Sequence, residues 1–177
     1  TRTHEIMEDV RNFDSEIGIL YLSSFNEKVL RAMLEDYHLE FHSLAMAEPH
    51  VFLRAAHPLA KRSSVTTADL EPYPFLCFEQ GVHNSFYFAE ELLSTVPHKK
   101  SIRVSDRATL FNLLRGVNGY TICSGMVSAD LNGGDIVSVP LDTAERMEIG
   151  WISNPKTQTS HAAKLYIQEL QHVLAEY

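Results

Sequence analysis

Hydrophobic positions in this chain switch between two spacings from end to end. Between Thr3 and Asn12, Ile6, Met7 and Val10 share one helical face, and Thr3 is placed to cap it. The apolar run Glu16–Leu22 predicts a buried strand, interrupted at Ser23-Ser24. Val29, Leu30, Met33 and Leu34 mark a second helix. Tyr37 to Ala47 alternates as a strand, Pro49 breaks it, and His50 to Ala56 resumes as another. A polar stretch, Lys61 to Thr67, leads through Ala68–Leu70 and Glu71–Pro74 into the strand Phe75–Phe78. Gln80 to Asn84 reads as a loop, and Ser85 to Thr95 as a helix with Phe86, Ala89, Leu92 and Leu93 inward. Lys99 to Ser105 is a strand. Asp106 is placed to cap the helix Arg107 to Arg115, and Gly116 to end it in a left-handed turn. Strands follow at Tyr120–Cys123, Asp135–Pro140 and Arg146–Ile152, with a turn at Ser124-Gly125. An amphipathic helix from His161 to Glu176 closes the chain.

Strands alternating with helices of about ten residues predict an α/β fold with largely parallel sheets. The extended stretch broken at Pro49 and the strands 135–140 and 146–152 look like two crossings between lobes. They predict an outer lobe of residues 1–48 plus 142–177 and an inserted lobe of residues 49–141. Ligands of such lobes bind at the carboxyl ends of strands, in the crevice between them.

Net charge is −8 over 177 residues, which makes the chain a poor DNA binder by itself. No apolar run approaches the ~18–20 residues that span a bilayer. The start at Thr1 carries no basic segment followed by an apolar one, so it does not read as a secretory signal but as a point inside a longer chain. Cys77 and Cys123 each lie in an apolar strand pattern and read as buried free thiols, with a disulfide left open. The nine histidines are scattered; His38 and His42 are four apart but fall across a turn and a strand, and His57 precedes Pro58 as a turn residue. No metal or cofactor site is expected, and no nucleophile or phosphate-loop motif is present; Cys123-Ser124 has no assignable base.

Five segments in order resemble a known family. Val51–Ala60 (VFLRAAHPLA), then Val65, Ala68–Leu70 and Tyr73-Pro74, are similar to the middle of the effector-binding domain of LysR-type transcriptional regulators. Leu114–Ile122, Gly133–Leu141, Asn12–Leu20 and the final helix after Ser160 resemble further segments of it. Glu16 stands where the family has Asp, and Ser124-Gly125 replaces its usual Leu-Pro. The resemblance implies a two-lobed, periplasmic-binding-protein-like (type II) domain, without its first strand and helix and without the winged helix-turn-helix that binds DNA. It implies a cytoplasmic sensor of a small anionic or amino-acid-like metabolite, dimeric as this domain and tetrameric in the full regulator, with helices 85–95 and 3–12 as contact surfaces. Candidate effector contacts are Gln80, Asn84 and Ser85 on a loop opening a helix, Asp106 and Arg107 at the next helix start, and Ser124 and Gly125. On the outer lobe they are Thr3, Tyr21, Ser23 and Ser24. For Asn84, Ser85 and Asp106, plain helix capping is the competing role. A transport solute-binding protein and an enzyme on the same two-lobed fold are the alternatives.

Overall fold

The computed structural model describes residues 2–81, 86–89, 91–94, 96–127 and 133–176. They form two compact units. Unit 1 joins the N-terminal segment through Ala47 to the segment from Arg146 onward, and unit 2 runs from Glu48 to Glu145.

Unit 1 is built from α1 (Thr3–Arg11), β1 (Ile17–Ser23), α2 (Glu27–Tyr37), β2 (Glu40–Ala47), β8 (Met147–Ser153) and α5 (His161–Leu174). Its sheet has the order β1-β8-β2, and β8 is antiparallel to both neighbours. Alternation along β1 serves two faces. Gly18, Leu20 and Leu22 are buried, and a Cβ at Gly18 would sit against Ile6 and Val10 of α1. Ile17 and Ile19 turn the other way, into a groove shared with Ala162, Ala163 and Tyr166 of α5. Helices therefore cover both sides of the strand. The core holds Met7, Val10, Leu30 and Ile152, all at 0% exposure. In β2 the register slips between Ser43 and Ala45, a bulge that breaks the simple alternation.

Unit 2 contains β3 (His50–Arg54), α3 (Thr67–Leu70), β4 (Phe75–Phe78), β5 (Ser101–Val104), α4 (Arg107–Gly116), β6 (Thr121–Cys123) and β7 (Ile136–Pro140). β3 lies between β6 and β7 and is antiparallel to both, whereas β4 and β5 are parallel. A single parallel bridge from Phe75 to Tyr120 links the two sets. Phe52, Leu76, Val104, Leu110, Leu114 and Ile136 form the core beneath α4.

Several expectations need correction. The sheets are mostly antiparallel, because β8 and β3 each run back between two strands that are parallel to each other. The helix expected over 85–95 is not formed among the described residues. One 3-10 turn, Phe86–Phe88, is followed by turns, and Leu93 has a left-handed φ of 59° that no helix accommodates. α1 is capped by Arg2, not Thr3: the Glu5 carboxylate folds back to accept the Arg2 backbone N–H (3.1 Å) and side chain (3.0 Å), which fixes the start one residue earlier. Gly116 is the last residue of α4 and does not take the left-handed cap; Val117 continues in extended backbone. Both cysteines are free thiols, but Cys123 is only half-buried. Burial pushes the Cys77 thiol above its ordinary pKa.

Candidate functional site

The side chains that best make a polar site in unit 2 gather at the carboxyl ends of β4 and β6. Phe78 ends β4, Thr121 and Cys123 share one face of β6, and Arg107, Leu110 and Phe111 come from the first turns of α4. With Glu91 they enclose a cavity of about 20 Å³, room for one water-sized group. Thr121 is 1% exposed, and its Oγ1 has no hydrogen-bond partner among the described residues. A buried hydroxyl in that condition lowers stability and is uncommon. Glu91 is buried at 5% exposure, and its Oε1 accepts the Phe78 backbone N–H at 3.0 Å, tying the segment after the 3-10 turn to the end of β4. The cavity thus has a buried hydroxyl on its wall, a carboxylate, and the Arg107 guanidinium from the exposed start of α4. It can take one polar group of a ligand whose acidic group pairs with Arg107.

Of the expected contacts, Arg107 lies in this group. Asp106 stands next to it, but its carboxylate is occupied: it accepts the Thr109 backbone N–H (2.8 Å) and hydroxyl (2.6 Å), and those bonds hold it below the usual carboxylate pKa. Ser124 and Gly125 follow Cys123 out of β6. Gly125 has a φ of 88°, and a Cβ there would come within 2.6 Å of the His50 ring, so only glycine fits. Gln80 is buried, at 3% exposure. The helix start expected after Gln80, with Asn84 and Ser85, lies outside the described residues.

On unit 1, Tyr21 and Ser23 are brought together by a residue not singled out from the sequence. Asn26 is 4% exposed; its Oδ1 accepts the Ser23 N–H at 2.7 Å, and its Nδ2 donates to the Tyr21 carbonyl at 3.4 Å. It locks the turn after β1. Ser24 is exposed on that turn, and Thr3 is the first helical residue of α1. Thr121 and Glu91 were also missed. Strand alternation could have flagged Thr121, which sits in phase with Cys123 and opposite Ile122; nothing local could have flagged Glu91.

Among the described residues no group of three or more His, Cys, Asp or Glu could hold a metal ion, and no helix is long and apolar enough to cross a membrane. No curated protein sequence matches the chain. The sequence pattern of the LysR substrate binding domain, however, matches residues 1–175. The chain belongs to that family. Solved structures agree on the fold. The crystal structure of HinK, a LysR family transcriptional regulator from Pseudomonas aeruginosa, is 15% identical with a TM-score of 0.62; the match covers 97% of this chain and 56% of HinK. The effector binding domain of QuiR in complex with shikimate is 18% identical with a TM-score of 0.62, over 97% of this chain and 77% of that one. The C-terminal domain of a probable LysR family regulator from Rhodococcus sp. RHA1 is 16% identical with a TM-score of 0.64, over 96% and 80%. A LysR substrate binding domain thus accounts for nearly the whole chain, which spans little more than half the length of HinK.

Proposed function

We propose that this chain is the metabolite-sensing part of a LysR-type transcriptional regulator, and that a small anionic or amino-acid-like effector binds at unit 2 with one of its polar groups seated in the Thr121–Arg107 cavity. The observation that carries the site is the buried Thr121 hydroxyl, without a partner among the described residues, in one cavity with Arg107 and with Phe78 and Cys123, the last residues of β4 and β6. A group that lowers stability in the ligand-free chain is retained where a ligand satisfies it. Arg107 would neutralise the effector's acid, and Ser124 would contribute a further hydroxyl at the end of β6. The effector can bias the regulator only by binding its two states unequally. In the full regulator, cytoplasmic and oligomeric, DNA contact would come from a separate winged helix-turn-helix domain, since this chain carries a net charge of −8.

Thermal unfolding against a panel of central metabolites tests the reading. A ligand at a hundredfold over its dissociation constant adds about 2.7 kcal/mol. Arg107→Gln is expected to abolish the stabilisation by an anionic hit. Thr121→Val is expected to weaken binding while leaving the ligand-free chain as stable or more so, because it removes an unsatisfied hydroxyl at constant shape. A hit that both variants bind unchanged would remove the site assignment. A hit consumed during the measurement would put catalysis in place of sensing.

A further inference from the structure

Strand β6 has a second face. Thr121 and Cys123 line the cavity just described, while Tyr120 and Ile122, in the alternate phase, line a larger one of about 210 Å³ at the opposite end of β4. An engineered apolar cavity of about 150 Å³ holds benzene, so this volume suits a single ring with a substituent. Its wall is apolar and aromatic: Leu70, Tyr73, Leu93 and Pro97, with Tyr120 at 3% exposure.

The polar groups inside are fixed by their partners. His98 stacks on Phe75 with ring centroids 4.0 Å apart. Its Nε2 lies 3.2 Å from the Leu93 carbonyl, which can only accept, so Nε2 carries the proton. Nδ1 is then the acceptor for the Tyr120 hydroxyl at 3.0 Å. The Tyr120 oxygen, donating its one O–H to His98, retains only accepting capacity. Burial lowers the His98 pKa and pushes that of Tyr120 up to about 12, so both stay neutral near pH 7. At the mouth, Lys99 pairs with Glu71 at 2.5 Å and leaves no net charge. Leu93, whose carbonyl anchors His98, is held in left-handed backbone, a conformation that a leucine keeps only where its surroundings impose it.

The geometry points to a second ligand site inside unit 2, on the Tyr120–Ile122 face of β6, for a small uncharged ring compound bearing one hydrogen-bond donor. It shares no lining residue with the Thr121–Arg107 cavity.

Phenol, toluene and benzoate are the probes, titrated into the 177-residue chain while backbone amide NMR signals are followed. Phenol is expected to give saturable shifts centred on Leu93, Tyr120 and Ile122. Toluene should bind about fivefold more weakly, the worth of one neutral hydrogen bond, and benzoate should not bind. Ala68 is exposed on α3 and lines the cavity, so Ala68→Phe places a ring over it without disturbing the core and should abolish the phenol shifts. Arg107→Gln should leave them intact. Shifts that fail to saturate, that persist in Ala68→Phe, or that benzoate produces as strongly as phenol would overturn the proposal.

Discussion

Asn26 shows how a single side chain sets a local structure that periodicity does not announce. Standing at the N-cap position of α2, it does not cap the helix; it turns back to the end of β1 and holds Ser23 and Tyr21. Asn26→Ala leaves the buried Ser23 N–H unpaired and should cost about 1–3 kcal/mol, read as a lowered denaturation midpoint with an unchanged slope. The cap expected at Thr3 lies at Arg2, and Ser160 and the Thr66–Asp69 pair cap their helices without having been singled out from the sequence. Asp106, which acts on its own backbone three residues on, was legible. Asn26 was not, because its partners precede it. The Thr121 hydroxyl shows the same limit: whether a buried Thr has a partner depends on elements distant in the chain.

At the scale of elements, alternation and helical spacing located each described strand and the helices α1, α2, α4 and α5; the short α3 was read as part of a polar connection, and the helix expected over 85–95 is not formed among the described residues. There Leu92 is buried as expected, at 3% exposure, but Ala89 and Leu93 are only half-buried, Phe88 is buried at 8% although the helical spacing did not place it inward, and the left-handed backbone of Leu93 interrupts any helix. Strand direction was not legible. Whether a neighbour is parallel depends on which strand enters between two others, and the interveners here, β8 and β3, are distant in sequence from at least one partner. Gly150 reports how tightly β8 is held. A Cβ there would meet the Phe41 ring at 2.3 Å and the His42 carbonyl at 2.6 Å, and backbone cannot give way cheaply. Gly150→Ala should therefore destabilise by about 1–3 kcal/mol, the range for overpacking, whereas Gly134→Ala, with nothing within 4 Å, serves as the neutral control. Differential scanning calorimetry of the pair separates the effect from backbone entropy.

For the whole molecule, acidity should act through two histidines first. His57 is 4% exposed, its Nδ1 accepts the Leu59 N–H at 3.1 Å, and burial lowers its pKa; burial also lowers that of His98. Both are protonated more readily in the unfolded chain. Their contribution is complete above the unfolded value of about 6.5 and is lost as pH falls below it. The melting temperature should thus be level from about pH 8 to 7 and decline toward pH 5, with a shallower decline in His57→Asn. Glu5, Asp69 and Asp106, held low by hydrogen bonds, add their loss only at more acidic pH. A melting temperature that stays level down to pH 5 would contradict the neutral assignment of both rings.

The route of the chain through unit 1 bears on how the protein is born. The middle strand of its sheet, β8, is drawn from residues 147–153, while both flanking strands precede residue 48. On the ribosome β1 and β2 therefore emerge with no strand between them, and stay so while all of unit 2 is synthesised, for some seconds at about 5–20 residues per second. Unit 2, contiguous from Glu48 to Glu145, has its strands in hand before β8 appears. The nascent chain completes the inserted unit before the strand that joins β1 to β2 is made.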